Sequence, residues 1–143
     1  MIAVDTNILV HAHRSESPKH TAALTALTAL AEGSEPWAIP VFCLGEFLRL
    51  VTHPKLFSPP HSPDEAATAV ERLLASPSAV VLAPGARYPA LLLEAVRAGA
   101  VKGNLVFDAQ IVAVCRESGV RDLLTEDRDF ARFDGFPYRH LDS

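Results

Sequence analysis

Residues 2–10 have the sequence Ile2-Ala3-Val4-Asp5-Thr6-Asn7-Ile8-Leu9-Val10. The short apolar run predicts a buried strand over residues 2–4, and Asp5 stands where that strand ends. A helix is expected to begin at Thr6 or Asn7, so Asp5 also has the position of a helix N-cap. A strand that leads directly into a helix is the first unit of an alternating α/β fold.

The same alternation continues through the chain. Apolar runs predict further strands at residues 37–39, 79–83, 122–125 and, as a possible edge strand, 137–141. Apolar periodicity predicts helices at about 18–31, 40–53, 63–75, 88–98 and 105–118. Two of these helices have specific signals at their first turn. Ser17-Pro18 combines an N-cap residue with a proline at the first helical position, and Ser62 with Glu65 forms a capping box. We therefore predict an α/β fold with a mainly parallel sheet.

Length and composition favour one compact domain over residues 1–143. The chain is 49% apolar and 21% charged, which argues against disorder. No apolar run approaches the ~18–20 residues that a membrane span needs, and the N-terminus lacks the features of a signal peptide. Cys43 and Cys115 lie far apart in apolar segments, so we expect two reduced core thiols and a cytoplasmic protein.

The net charge is −4, which argues against a broad electrostatic surface for nucleic acid. The four acids that are candidates for one site carry a charge of −4 by themselves, which equals the net charge of the chain, and a bound cation would offset much of it. Asp5 and Asp127 both follow strands, where ligands bind in open α/β sheets. N-cap or turn chemistry accounts for either acid equally well.

Glu46 and Asp108 stand in predicted helices. Glu46 interrupts an apolar helix beside Gly45, which suggests close approach of backbone or ligand, although a surface pair with Arg49 also explains it. Asp108 lies in the first turn of its helix, where the helix dipole favours an acid, and shares a face with Val112. Four carboxylates brought together without Cys or His would suit a hard cation such as Mg²⁺ or Mn²⁺, and phosphoryl chemistry.

The blocks that contain these acids resemble PIN-domain ribonucleases, in particular the toxin subunits of VapBC-type toxin–antitoxin pairs of the mycobacterial type. In chain order they are Val4-Asp5-Thr6-Asn7-Ile8-Leu9, Leu44-Gly45-Glu46-Phe47-Leu48-Arg49-Leu50-Val51-Thr52-His53-Pro54, Gly103-Asn104-Leu105-Val106-Phe107-Asp108-Ala109 and Thr125-Glu126-Asp127-Arg128-Asp129-Phe130-Ala131-Arg132-Phe133. The resemblance implies a three-layer α/β/α domain with about five strands. It also implies metal-dependent endonucleolytic cleavage of RNA, a cognate antitoxin and a homodimer.

On this resemblance, Asp5 and Asp108 would ligate the principal metal directly, and Glu46 and Asp127 would complete the site. Asp129 is an alternative to Asp127 as the fourth acid, although the Thr-x-Asp spacing favours Asp127. The residues expected to position water, phosphate or the RNA backbone are Thr6, Asn7, Thr125, Arg128, Arg132, Arg49 and Lys102. Turn chemistry or solvated surface charge remains an alternative for each of them.

Other functions fit the sequence less well. A haloacid-dehalogenase phosphatase needs a second acid where Asn7 stands, and a receiver domain pairs two acids near its first strand. His11 and His13, at i and i+2 of a helix, point to different sides and make a poor zinc pair. The serious alternative is a catalytically silent PIN-like module that binds RNA or a protein partner. The intact set of acids argues against it.

Overall fold

Five short strands form the centre of the fold in the computed structural model, which describes residues 1–142. The strands are β1 (Ile2–Val4), β2 (Trp37–Pro40), β3 (Ala79–Leu82), β4 (Asp122–Leu124) and β5 (Tyr138–Arg139). They form one sheet in the order β3-β2-β1-β4-β5, and every neighbouring pair is parallel. The prediction of an α/β fold with a parallel sheet of about five strands is confirmed.

The strand order places a topological switch point beside β1. The chain runs outward from β1 to β2 and β3, and then returns to the other side of β1 for β4 and β5. Ile2 is paired with Trp37 on one side and with Asp122 on the other. In open α/β sheets, ligands bind outside the carboxyl ends of the strands at such a point. Asp5 and Thr125, which follow β1 and β4, therefore lie where a ligand is expected.

Six α-helices connect the strands. They are α1 (Thr6–His13), α2 (His20–Glu32), α3 (Val41–Val51), α4 (Pro63–Leu74), α5 (Tyr88–Gly99) and α6 (Leu105–Glu117). A short 3-10 helix covers Arg128–Arg132. Because parallel crossovers are right-handed, α1–α4 cover one face of the sheet and α5–α6 cover the other. The packing of α1 against α2 and α3, and of α5 against α6, agrees with these two layers.

Most helix starts agree with the sequence, and one does not. The capping box at Ser62 and Glu65 is formed, but the prediction that α2 begins at Pro18 is wrong. The Ser17 hydroxyl accepts a hydrogen bond from the Lys19 N–H, and the His20 N–H donates to the Ser17 carbonyl. These bonds close a turn, so helical backbone begins only at His20.

The core is largely apolar and contains two free thiols. Cys43 and Cys115 are both buried and free, as predicted. His11 and His13 have separate partners, because the His11 ring meets the Ser17 hydroxyl and the His13 ring meets the Leu9 carbonyl. Within residues 1–142, none of the helices has both the length and the apolar character that a membrane crossing requires.

Candidate active site

A cleft of about 720 Å³ opens at the carboxyl end of the sheet between α3 and α6. One face of each helix lines it, since the contributing positions repeat with helical spacing. The residues from α3 are Phe42, Gly45, Glu46 and Arg49, and those from α6 include Leu105, Phe107, Asp108 and Ile111. Thr6, Asp127 and Asp129 line it from the ends of β1 and β4. The fold therefore brings three of the four predicted acids to one cleft, with Asp129 beside them.

Three carboxylates are close enough to share one cation. Asp108, Asp127 and Asp129 each offer an oxygen that lies within 4.8 Å of the oxygens offered by the other two. Asp108 and Asp127 are half-buried, whereas Asp129 is exposed. Asp127 Oδ1 accepts a hydrogen bond from the Asp129 N–H at 2.8 Å and so caps the 3-10 helix. Both candidates for the fourth acid are thus at the cleft, with different burial.

Asp108 is the most perturbed acid of the cleft. Burial, followed by the negative charges of Asp127, Asp5, Asp129 and Glu46, raises the pKa of its carboxyl from 3.8 to about 7. No hydrogen bond to this carboxylate is present among residues 1–142 to offset the cost of ionisation. A buried acid crowded by other acids favours either a proton or a metal ion as its partner.

Asp5 lies beneath the cleft and is 5% exposed. Its Oδ1 accepts from the Thr6 N–H at 2.8 Å, and its Oδ2 accepts from the Thr125 hydroxyl at 2.7 Å. Burial raises the pKa of Asp5, the two hydrogen bonds lower it in part, and the charges of Glu46 and Asp127 raise it further. Asp5 is therefore electrostatically coupled to the cleft acids, although it stays outside the group of three.

A polar network connects the ends of β1 and β4 and fixes Asp5. The Asn7 amide donates to Asp5 Oδ2 and to Thr125 Oγ1, both at 3.2 Å, and Asn7 Oδ1 accepts from the Glu126 N–H at 3.0 Å. Thr125, which is fully buried, also accepts from the Asp127 N–H at 3.0 Å. Asn7 and Thr125 were predicted to position water or phosphate. In the structure they hold the carboxylate of Asp5.

Glu46 points to the cleft and not to a surface partner. It is half-buried, and no ion pair joins it to Arg49 within the described residues, so the alternative of a surface pair fails. A Cβ added to Gly45 would meet nothing within 4 Å, which leaves the cleft open at that position. The sequence suggested close approach of backbone or ligand at Gly45, and the structure shows that no protein atom fills this space.

Thr6 presents an unsatisfied polar group at the floor of the cleft. Its side chain is 1% exposed, and its hydroxyl oxygen has no hydrogen-bond partner among residues 1–142. The thiol of Cys43, a weak polar group, lies near it. Buried hydroxyls are nearly always hydrogen-bonded in folded proteins, so the partners open to this one are the Cys43 sulfur, a weak acceptor, and a water or ligand oxygen in the cleft.

The cleft contains no paired cation. Ion pairs in the described part of the chain join Arg14 to Glu16, Lys19 to Glu126, and Arg121 to Glu35, all outside the cleft. The other predicted contacts to RNA (Arg49, Lys102, Arg128 and Arg132) are exposed, and only Arg49 lines the cleft. The negative charge of the cleft is therefore not balanced by the protein.

Sequence reasoning missed two features of the cleft. Phe107, next to Asp108, is 59% exposed and lines the cleft, although an apolar residue in a helix is normally assigned to the core. Its position one residue before an inward-facing acid was the available signal. Glu126, between Thr125 and Asp127, forms an ion pair with Lys19 and accepts from the Leu141 N–H, and so joins the C-terminal segment to the site.

Comparisons with known proteins identify the family of the chain. The family model described as PIN domain matches residues 2–136. The VapC ribonuclease Mb2897 of Mycobacterium bovis is 37% identical over 140 residues, with 98% of this chain and 95% of that protein covered. Ribonuclease VapC25 of Mycobacterium tuberculosis is 32% identical over 133 residues, with 93% of each chain covered.

Solved structures support the fold. The sarcin-ricin loop cleaving toxin VapC20 of Mycobacterium tuberculosis has a TM-score of 0.69 and 24% identity, with coverage of 95% of this chain and 96% of that one. VapBC-1 from nontypeable Haemophilus influenzae has a TM-score of 0.69 and 15% identity, with full coverage of both chains. The chain therefore belongs to the PIN-domain family, and within that family it groups with the VapC proteins.

Proposed function

We propose that this protein is a Mg²⁺- or Mn²⁺-dependent endoribonuclease that hydrolyses RNA phosphodiester bonds as the toxin of a toxin–antitoxin pair. The observation that carries the proposal is the cleft itself, where acids from separate elements meet and none of them forms an ion pair within the described residues. The names of the relatives, which are ribonucleases, support the choice of RNA as substrate. Four-carboxylate sites of this kind bind hard divalent cations and act on phosphates.

The residues present fit a divalent cation. Asp108 and Asp127 have carboxylate oxygens close enough to share one. Asp5 lies at the end of β1, where neutral donors hold its carboxylate and offset in part the burial that raises its pKa. We assign Asp5 and Asp108 as direct ligands and Glu46 and Asp127 as the acids that complete the site. A bound cation would neutralise phosphate charge and activate the attacking water.

The chain's own polar groups have separate roles in this proposal. Thr125 and Asn7 hold Asp5 in one orientation, since both donate to its Oδ2. The unpartnered hydroxyl of Thr6 at the floor of the cleft would bind a water or a phosphate oxygen. Arg128, exposed beside Asp127, would contact the RNA backbone.

We also propose a cognate antitoxin, a homodimer and a cytoplasmic location. The antitoxin is suggested by structural neighbours that are described as VapBC pairs, among them a VapBC from Salmonella typhimurium bound to DNA. The homodimer follows from the resemblance to VapC proteins. Two buried, free cysteines suit a reducing compartment.

The test is an RNA cleavage assay with the chain purified free of partners. Total RNA is incubated with and without Mn²⁺, beside the Asp5→Asn and Glu46→Gln variants. We expect cleavage that requires the metal and is lost in both variants. Binding of RNA without cleavage, by a folded protein that binds Mn²⁺ in calorimetry, would favour the silent binding module. Absence of Mn²⁺ binding would refute the carboxylate site.

A further inference from the structure

The carboxylate of Asp5 accepts hydrogen bonds from four donors of the described chain, two at each oxygen. Oδ2 accepts from the Thr125 hydroxyl and the Asn7 amide. Oδ1 accepts from the Thr6 N–H at 2.8 Å and from the Cys43 thiol, whose sulfur lies 3.7 Å away. A carboxylate has about four lone-pair sites, so these donors fill all of them. Direct binding of a cation to Asp5 therefore requires one donor to leave.

Three of the donors are fixed by other contacts. The Thr6 N–H belongs to the first turn of α1, where Asp5 is the N-cap residue. The side chains of Asn7 and Thr125 also accept backbone N–H groups of the segment after β4, which holds both of them in place. The Cys43 thiol is different, because an S–H group is a weak donor that can rotate about its Cβ–Sγ bond. It is the donor that can leave at the lowest cost.

A second acceptor lies beside the Cys43 thiol. Cys43 is 0% exposed and stands on the face of α3 that also buries Phe47 and Val51, so water does not reach its sulfur. The Thr6 hydroxyl lies near that sulfur, is 1% exposed and lines the cleft. It has no hydrogen-bond partner among residues 1–142. The S–H group therefore has two acceptors within reach, Asp5 Oδ1 and Thr6 Oγ1.

We propose that Cys43 is a positioning residue that exchanges acceptors, donating to Asp5 Oδ1 in the metal-free protein and to Thr6 Oγ1 when Asp5 holds a divalent cation. The inference rests on the proposed function. The proton stays on the sulfur, and only the direction of the S–H bond changes. When Thr6 Oγ1 accepts from Cys43, its own O–H is directed away from the sulfur and donates to a water or phosphate oxygen in the cleft. Cys43 thereby couples the occupancy of Asp5 to the donor at the floor of the cleft.

Infrared spectroscopy of the S–H stretching band tests the exchange in the full chain. The sequence has two cysteines, so Cys115→Ala leaves the band of Cys43 alone and Cys43→Ala leaves that of Cys115. Cys115 is the matched control, because it is 1% exposed and its thiol has no hydrogen bond among residues 1–142. Without metal, the Cys43 band should lie at the lower frequency, since a hydrogen bond to a carboxylate is charge-assisted. Mg²⁺ should move this band to higher frequency, as should Asp5→Asn without metal, while the Cys115 band stays in place.

Calorimetry distinguishes acceptor exchange from a fixed supporting contact. Cys43→Ser places a stronger donor on Asp5 Oδ1, which competes with the cation, so Mn²⁺ binding should weaken by about 2-fold to about 12-fold, the value of one hydrogen bond. Cys43→Ala removes the competing donor, so Mn²⁺ binding should equal or exceed that of the wild type, although the buried cavity lowers Tm. A residue that only held Asp5 in place would give the opposite order, with Cys43→Ser close to the wild type and Cys43→Ala weaker.

Two results would overturn the inference. One is weaker Mn²⁺ binding by Cys43→Ala than by Cys43→Ser, and the other is a Cys43 band that does not move when Mg²⁺ binds. The infrared measurement on Cys115→Ala retains Cys43, so it decides the question even where a Cys43 variant fails to fold. Both results leave the nuclease function intact, whereas a wild-type protein that binds neither Mg²⁺ nor Mn²⁺ would refute the carboxylate site and the exchange together.

Discussion

Replacement of Asp108 by Asn should stabilise the metal-free protein at the same time as it impairs the site. The pKa of this carboxyl is raised from 3.8 to about 7 by burial and by the neighbouring acids, so its ionised form is unfavourable in the folded state. Between about pH 4 and pH 7 the unfolded chain loses this proton while the folded chain keeps it. The stability of the metal-free protein therefore falls as pH rises through that window.

The size of the effect follows from the same shift. Ionisation of a carboxyl whose pKa moves from 3.8 to about 7 costs at most about 4 kcal/mol at pH 8. Because the cleft is open to solvent, screening reduces the cost to about 1–2 kcal/mol. The Asp108→Asn variant should gain this amount at pH 8 and nothing at pH 4. For a chain of this length the gain corresponds to a rise in Tm of about 2–8 °C.

A divalent cation should make the wild type more stable than the Asp108→Asn variant, which reverses the order expected without metal. At 100 times its Kd, a ligand that binds only the folded state adds about 2.7 kcal/mol, and this gain is open to the wild type but largely lost in Asp108→Asn. Thermal melts and urea titrations at pH 5 and pH 8, with EDTA or with Mn²⁺, measure both effects. Asp134→Asn, at an exposed acid outside the cleft, is the control. A variant less stable than the wild type in EDTA at pH 8 would refute the reasoning.

Three further predictions concern other residues of the site. Gly45→Ala should raise the free energy of unfolding by about 0.5–1 kcal/mol in urea denaturation, because the position is helical and the added methyl meets nothing. Gly45→Leu should block cleavage in an RNA cleavage assay, because the larger side chain fills the cleft. In Thr125→Val, Asp5 loses its hydroxyl donor. Urea denaturation should show a free energy of unfolding lower by about 1–3 kcal/mol, and calorimetry should show Mn²⁺ binding weaker by about 10–100-fold. Asp127→Asn should reduce kcat/KM for RNA more than Asp129→Asn does, because Asp127 is the more buried acid, and equal losses would contradict this order.

The fold was largely predictable from the sequence because strand-length apolar runs alternate with amphipathic helices. The ends of all five strands were placed to within about two residues. At β1 and β2, burial on both faces leaves a continuous apolar run. The start of α2 was not predictable, because Ser17 can cap a helix or close a turn, and only the tertiary contacts decide between them. Its hydroxyl is held by the His11 ring and the Lys19 N–H.

The sequence predicted a set of candidate site residues but not their geometry. Parallel strand order brings Asp5 and Asp127 to one edge, and this followed from the alternating pattern. The sequence could not show that Thr125 bonds to Asp5 and to Asn7, since these contacts join residues more than 100 positions apart. Nor could it show that Asp129 lies with Asp108 and Asp127, which depends on the turn of the 3-10 helix.

The partners of the buried charged side chains indicate what the cleft binds. Where a charge is buried for structural reasons, a protein partner is present, as for Arg14, which is 9% exposed and bonds to Glu16 and to the Pro59 carbonyl. Asp5 is buried as deeply, yet its partners are a backbone N–H, a hydroxyl, an amide and the Cys43 thiol, none of which carries charge. Neutral donors fix the position of a carboxylate without cancelling its charge. Burial raises the pKa of Asp5 and these donors offset the rise only in part, so a cation that arrives from solution is the charged partner that its ionised carboxylate lacks in the described chain.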